Sequence, residues 1–326
     1  MAKINRPQIK KVARFLRGLP GDDCGLNFYN LEGDEKEIIA SRMYPPLNHQ
    51  QAINFFFFVC LHQYGFWYGD ESGYKEPLSG CLDGKKLKGS DLLWAVCKKA
   101  LDHDFLIFEP ARLAEMSFND LREKIFTDAN GPIDFPDNQE RHQLTNCYGQ
   151  WFVENKSEPT KIVELAHSLN RSLGFFLWLT REVPGYNRDR FKKKNLLLAM
   201  VLSNRPEKFL EVKDPQSWSP IVDYHLMRLA LRLGLVDLKK SEQRANEKRL
   251  WIDALAEYRI RRATYRAIKR LISKSGKSMP FIDKLFWTGR QYCPEMEDQE
   301  CSQCIFSEVC KKRTELFQPI FRTTAY

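Results

Sequence analysis

From about residue 90 onward, apolar positions recur at three- and four-residue steps, the spacing that places them on one face of an α-helix. The pattern predicts helices over 90–103, 117–127, 137–155, 158–170, 171–181, 190–203, 220–234, 243–274 and 280–290. Several carry boundary signals. Ser90 can cap the first, and Ser117 with Asp120 and Ser157 with Thr160 and Lys161 stand near helix starts; Pro220 suits a first turn, and Gly234 and Gly276 follow helix ends. Upstream, the stretch from Asn48 to Trp67 is strongly aromatic and includes four consecutive phenylalanines, Phe55–Phe58. On a helix such a run is mostly core. The passage GDESGYKEPLSGCLDGKKLKG follows, and its Asp83-Gly84 reads as a hairpin turn, so a small β element is expected at 70–90. Residues 1–45 show mixed charge and weak periodicity and read as an irregular or partly helical arm. The expected fold class is mainly α, in three parts: an arm with the aromatic and β element at 1–90, a helical core at 91–290, and a cysteine-rich loop and tail at 291–326. No heptad run, internal repeat or low-complexity tract is present.

Charge sharpens the picture through its placement. The 326 residues carry 51 Lys or Arg against 42 Asp or Glu, a net +9. Between Lys239 and Lys277 thirteen basic residues face four acidic ones, so this segment alone carries +9. Within the helix expected at 243–274, Arg259, Arg262, Arg266 and Arg270 are candidates for holding nucleic-acid phosphates, which a basic helix attracts by counterion release. A solvated face with no partner is the other reading. The longest apolar run, Phe55 to Leu61, is far short of the roughly 20 residues of a membrane-spanning helix. The start MAKINRPQIKK lacks the apolar stretch of a signal peptide, and Cys24, Cys60, Cys81, Cys97 and Cys147 show no pairing spacing. A cytoplasmic protein with no membrane contact is expected, and no protein partner is implied.

The remaining cysteines, Cys293, Cys301, Cys304 and Cys310, form a C-x7-C-x2-C-x5-C string, expected to bind metal. Zinc modules usually pair two C-x2-C units or add histidines. Here there is one such unit, flanked by single cysteines, which suits a 4Fe–4S cluster better than zinc. A second constellation has chemical potential. Asp223 stands at the start of a predicted helix, where the helix dipole stabilises a carboxylate. Some thirty residues upstream, Lys192, Lys193 and Lys194 run into the apolar LLLAMVL, and a lysine at such a junction can face a pocket. A carboxylate can stabilise the oxocarbenium-like state of glycosidic cleavage, and an amine can stabilise the departing base or attack the sugar carbon. Asp223 could equally be a simple helix cap. Tyr64, Phe66, Trp67 and Tyr68 offer flat faces on which a base could stack. His62 and His225 could donate protons or be structural, and His225, two residues past Asp223, joins the candidates for contacting substrate.

These pieces align with known families. The passage FIDKLFWTGRQYCPEMEDQECSQCIFSEVC resembles the end of the endonuclease III-type DNA glycosylases, whose usual first cysteine spacing is one residue shorter. KKKNLLLA followed by PIVDYHLMRL is similar to the Lys and Asp pair of the archaeal 8-oxoguanine glycosylases, of the same helix-hairpin-helix superfamily. The order YGFWYGD, DGKKLKGSDLLWAVCKKALDHDF, MSFNDLREKIFTD, the lysine run, VDYHLMR and FIDKLFW resembles the queuosine salvage proteins, nucleoside N-glycosidases with a DNA-glycosylase-like fold.

The resemblances imply a two-lobed helical glycosylase fold closed by an iron–sulfur loop. They also imply Asp223 as catalytic carboxylate, one of Lys192 to Lys194 as pocket lysine, with Lys194 and Lys192 the leading pair, and Phe66 and Trp67 as stacking residues. No glycine lies between Lys194 and Asp223, so the phosphate-holding hairpin of the superfamily is absent, and any grip on DNA falls to the basic helix and to the cysteine loop with Lys311, Lys312 and Arg313. Three readings follow: an N-glycosidase acting on a modified purine in DNA, for instance one of the 7-deazaguanine type; the same chemistry on a queuosine-type nucleoside or its 5′-monophosphate; and a non-enzymatic module that binds modified DNA.

Overall fold

The structure, a computed structural model, describes residues 2–21, 25–29 and 43–326. Its elements begin with strand β1 (Lys3–Ile4), helix α1 (Arg6–Gly18) and helix α2 (Ala52–Leu61). Two hairpins follow, β2 (Trp67–Asp70) with β3 (Gly73–Pro77), and β4 (Ser79–Leu82) with β5 (Lys85–Lys88). Next come α3 (Gly89–His103), α4 (Pro110–Ala114), a short turn at Phe118–Asp120 that widens into a π-helical turn at Leu121–Ile125, and the pair β6 (Thr127–Asp128) and β7 (Gly131–Pro132). The helices α5 (Asn138–Glu154), α6 (Pro159–His167), α7 (Ser172–Leu179) and α8 (Lys193–Asn204) complete this stretch. After it come α9 (Tyr224–Leu233), β8 (Val236–Asp237), α10 (Lys240–Glu247), α11 (Ala254–Ser275) and α12 (Met279–Tyr292). The molecule is mainly helical with small antiparallel sheets, as the periodicity predicts, and the β element expected at 70–90 is the two hairpins.

Three expectations change in detail. The arm contains the regular helix α1, with Asn5 accepting a hydrogen bond from the Gln8 amide at 3.0 Å and Pro7 in the first turn; the rest of the arm, at 22–24 and 30–42, lies outside the described residues. The helix expected at 243–274 is broken, because Asp253 caps a new start by accepting from the Ala256 amide at 2.7 Å, and Trp251 leaves the helix to bridge Ile320. The span 117–127 holds only the short turn and its π continuation before the chain enters β6.

Two compact units divide the chain, neither contiguous in sequence. One comprises residues 1–26, 69–76 and 219–322. In it β1 pairs with β8, and α1 lays Ile9, Val12, Ala13 and Leu16 against α11. Gln8 donates to the carbonyls of Leu233 (2.8 Å) and Val309 (2.6 Å), tying α1 to the end of α9 and to the cysteine loop. The other unit comprises 27–68, 77–218 and 323–326. Its centre is α2, apolar on every side, so all of Phe55–Phe58 are sealed from solvent between neighbouring elements, as a helix without a polar face must be. Beside it α5 crosses α4 so closely that Gly149 has no room for a side chain; a Cβ there would stand 2.3 Å from the Ala114 nitrogen.

Candidate functional site

In the second unit, α8 decides among the three lysines. Its start is held by Asp189, whose carboxylate accepts from the amides of Phe191 (3.0 Å) and Lys193 (2.7 Å). Lys192, with left-handed backbone before the first turn, is exposed. Lys193 is buried, and its ammonium donates to the Gln63 carbonyl at 2.7 Å. Lys194, one step of about 100° further round the helix, is fully buried, has no hydrogen-bond partner for its Nζ, and rests that nitrogen 4.4 Å from the centre of the Tyr64 ring. Burial pushes the Lys194 amine well below its ordinary value, and the charges of Lys193, Arg141 and Arg188 push the same way. Its proton is therefore held less tightly than that of an exposed lysine.

Arg141 organises the segment that faces this amine. Fully buried on α5, it donates to the carbonyls of Pro136 (3.0 Å), His62 (2.9 Å) and Tyr64 (2.5 Å), and its guanidinium lies 4.1 Å from the Tyr64 ring and 5.7 Å from that of Phe66. The sequence contained a signal for it: Arg141 falls on the buried stripe of α5 with Leu144, Thr145, Tyr148 and Phe152, where a charge must have partners. Burial raises the Tyr64 hydroxyl to about 12 and drives the His62 ring well down, so both stay neutral at ordinary pH. His62 shares a hydrogen bond with Thr145 at 3.1 Å. Phe66 packs against Gly89, where an added Cβ would meet the Phe66 Cβ at 3.4 Å and its ring at 3.7 Å, and Phe66 and Trp67 are 5% and 4% exposed. Thus Lys194, Tyr64 and Phe66 are gathered round Arg141, and Lys192 lies away from them.

In the first unit Asp223 caps α9, one carboxylate oxygen accepting from the Leu226 amide at 2.9 Å, and is 6% exposed. The peptide before it is gripped from α11, where Arg261 Nε and a terminal nitrogen both donate to the Val222 carbonyl, at 3.0 and 2.8 Å. His225 turns to a polar cluster: its Nδ1 is 3.1 Å from an Arg228 nitrogen and 3.5 Å from the Glu295 carboxylate. Arg228 and Glu295 escaped the sequence reading because each lies in a helix or loop pattern that reads equally well as solvent-facing.

Cys293, Cys301, Cys304 and Cys310 line one cavity of this unit together with Leu229, Leu233, Phe286 and Phe306. Among the described residues no trio of His, Cys, Asp or Glu is arranged as a metal-ligating group. The donor set nonetheless suits an iron–sulfur cluster: only soft sulfur, an apolar wall, and N–H donors aimed at sulfur, from Arg232 to Cys293 Sγ and from the Lys312 amide to Cys310 Sγ, both at 3.2 Å. Burial raises the Cys310 thiol to about 11 and also raises that of Cys304, a cost that a bound cation would offset.

Along α11, Arg259, Arg262, Arg266 and Arg270 follow one another at steps of three and four residues and form one stripe, with Arg262 and Arg266 exposed and the outer two half-buried. No helix is long and apolar enough to cross a membrane among the described residues.

Residues 43–198 match the family model described as queuosine salvage protein. The matched span includes the aromatic segment and all three lysines and stops short of Asp223 and the cysteine loop. Among solved structures, the chain is similar to the 8-oxoguanine DNA glycosylase of Pyrobaculum aerophilum, crystallised with 8-oxoguanosine, at 14% identity and a TM-score of 0.49 over 94% of this chain and 96% of that one. No curated protein matches.

Proposed function

We propose that the protein is an N-glycosidase that hydrolyses the bond between a modified purine and its sugar. The match of residues 43–198 to the queuosine salvage family carries this reading, since it holds both the aromatic segment and the buried Lys194, whose amine has no hydrogen-bond partner. Asp223 is the carboxylate that stabilises the oxocarbenium-like state, and Lys194 is the pocket amine, able to assist the departing base or attack the sugar carbon. Phe66, Trp67 and Tyr64 recognise the base, with His225 among the groups near the carboxylate. Cys293, Cys301, Cys304 and Cys310 hold a 4Fe–4S cluster with a structural role, zinc being the alternative. The proposed substrate is DNA bearing a base of the 7-deazaguanine type, because the stripe of Arg259, Arg262, Arg266 and Arg270 suits a phosphate backbone and a free nucleoside needs no such surface. The family description favours a second reading, in which the same residues act on a queuosine-type nucleoside or its 5′-monophosphate.

The full chain is to be incubated with duplex and single-stranded DNA carrying such bases and, separately, with the free nucleoside and monophosphate, and the released base measured. The DNA reading expects base release and abasic sites, reduced on the order of 10³-fold in Asp223→Asn. Release from the free nucleoside or monophosphate alone selects the second reading. No release from any of them leaves a binding module and ends the glycosidase proposal. Borohydride should trap a DNA adduct in wild type and in Lys192→Ala but not in Lys194→Ala if the amine attacks the sugar.

A further inference from the structure

Helix α9 begins at Asp223 and is clasped, one and two turns later, by three consecutive residues at the entrance of the cysteine loop. Arg228 and Arg232 stand four residues apart, so both guanidinium groups leave the same side of the helix, and they are 1% and 3% exposed. Arg232 takes the loop's backbone and sulfur: it donates to Cys293 Sγ (3.2 Å), the Pro294 carbonyl (2.8 Å) and, through Nε, the Leu316 carbonyl (2.7 Å). Arg228 takes its side chain, donating to one Glu295 oxygen at 3.0 Å and to the Gln318 amide oxygen. The other Glu295 oxygen accepts from the Tyr74 hydroxyl at 2.5 Å, and Arg228 reaches back to His225, two residues from the carboxylate.

Each acceptor lost from these buried guanidinium groups leaves more of a charge without solvent or partner, and the Arg228 Nε already has none. Loop and helix must therefore move as one piece. The Val222 carbonyl is anchored separately by Arg261, so a shift of α9 changes the angle at which the Asp223 carboxylate leaves its peptide. We propose that Arg228, Arg232 and Glu295 are positioning residues for Asp223, through which the integrity of the four-cysteine loop is registered at the carboxylate without the loop touching the substrate. This inference rests on the reading of Asp223 as the catalytic carboxylate.

The test uses full-length Glu295→Gln, Tyr74→Phe and Cys304→Ser, with Asp223→Asn as reference. Two quantities are read: kcat and KM on the substrate that the wild type turns over, and deuterium exchange of the Leu226 and Met227 amides, which bond to Asp223. Glu295→Gln should lower kcat roughly 10- to 100-fold while KM changes by less than about threefold, as misplacement of a reacting group does. Exchange at Leu226 and Met227 should quicken in Glu295→Gln and equally in Cys304→Ser, with the amides of α8 unchanged. Should Glu295→Gln fail to fold, Tyr74→Phe, which removes one hydroxyl, carries the same expectation in smaller measure. If Asp223→Asn is inactive while the folded variants keep wild-type kcat and amide protection, the positioning role is overturned and the proposed function stands. If Asp223→Asn retains full turnover, the functional reading itself has failed and the positioning role falls with it.

Discussion

An amine buried as deeply as Lys194, with no acceptor, holds its proton weakly, and unfolding returns it to its ordinary value of 10.5. Between its lowered folded value and 10.5 the unfolded chain therefore binds the additional proton, so this residue's contribution to stability grows as pH rises through that window. Lys194→Met, which fills similar space without a polar atom, should remove the dependence. Urea unfolding near pH 7 should find the variant more stable by on the order of 1–3 kcal/mol, with the gap narrowing as pH approaches the ordinary lysine range. The run Lys192–Lys194 also shows where sequence reading stops. It marks a lysine at a helix junction, but each residue turns the side chain by about 100°, and only the position of the first turn, fixed by Asp189, tells which amine is sealed inside. Asp223 as a helix cap was legible, as was the aromatic segment; the buried arginines that hold both were not, since their partners are distant carbonyls and carboxylates.

Helices announce themselves by apolar spacing, and nearly every predicted helix is present to within a few residues. Where elements differ, the cause is a local bond that competes with helix continuation, as at Asp253, whose side chain starts α11 afresh after the break that follows α10. What spacing cannot show is how closely elements approach. Gly149 looks like a weak point in a helix, yet it is the place where α5 meets α4, with a hypothetical Cβ 2.3 Å from the Ala114 nitrogen and 2.5 Å from the Pro110 oxygen. Both neighbours are backbone and cannot swing aside. Gly149→Ala should cost about 1–3 kcal/mol or more despite the better helix propensity of alanine, seen as a lowered unfolding midpoint. Gly18→Ala at the end of α1, where no atom lies within 4 Å of the added carbon, should change it little.

At the scale of the whole molecule, the basic excess has a measurable consequence. Replacing Arg262 and Arg266 by alanine should weaken binding to duplex DNA at low salt and reduce the slope of log K against log salt by about 1.8, while turnover of a free nucleoside stays the same. Loss of nucleoside turnover would instead mean that these arginines support the fold. Composition made the basic segment legible, but the division into two interleaved units was not, because it depends on pairings such as β1 with β8 that join residues more than 230 positions apart. Those pairings also set an order on biosynthesis. As the chain leaves the ribosome, α1 emerges well before its partners in α9, α11 and the cysteine loop, which come only after residue 219, when most of the other unit has already been made. Helix α1 must therefore wait with Ile9, Val12 and Leu16 uncovered while the intervening residues are made, a period in which chaperone capture of that helix competes with its docking.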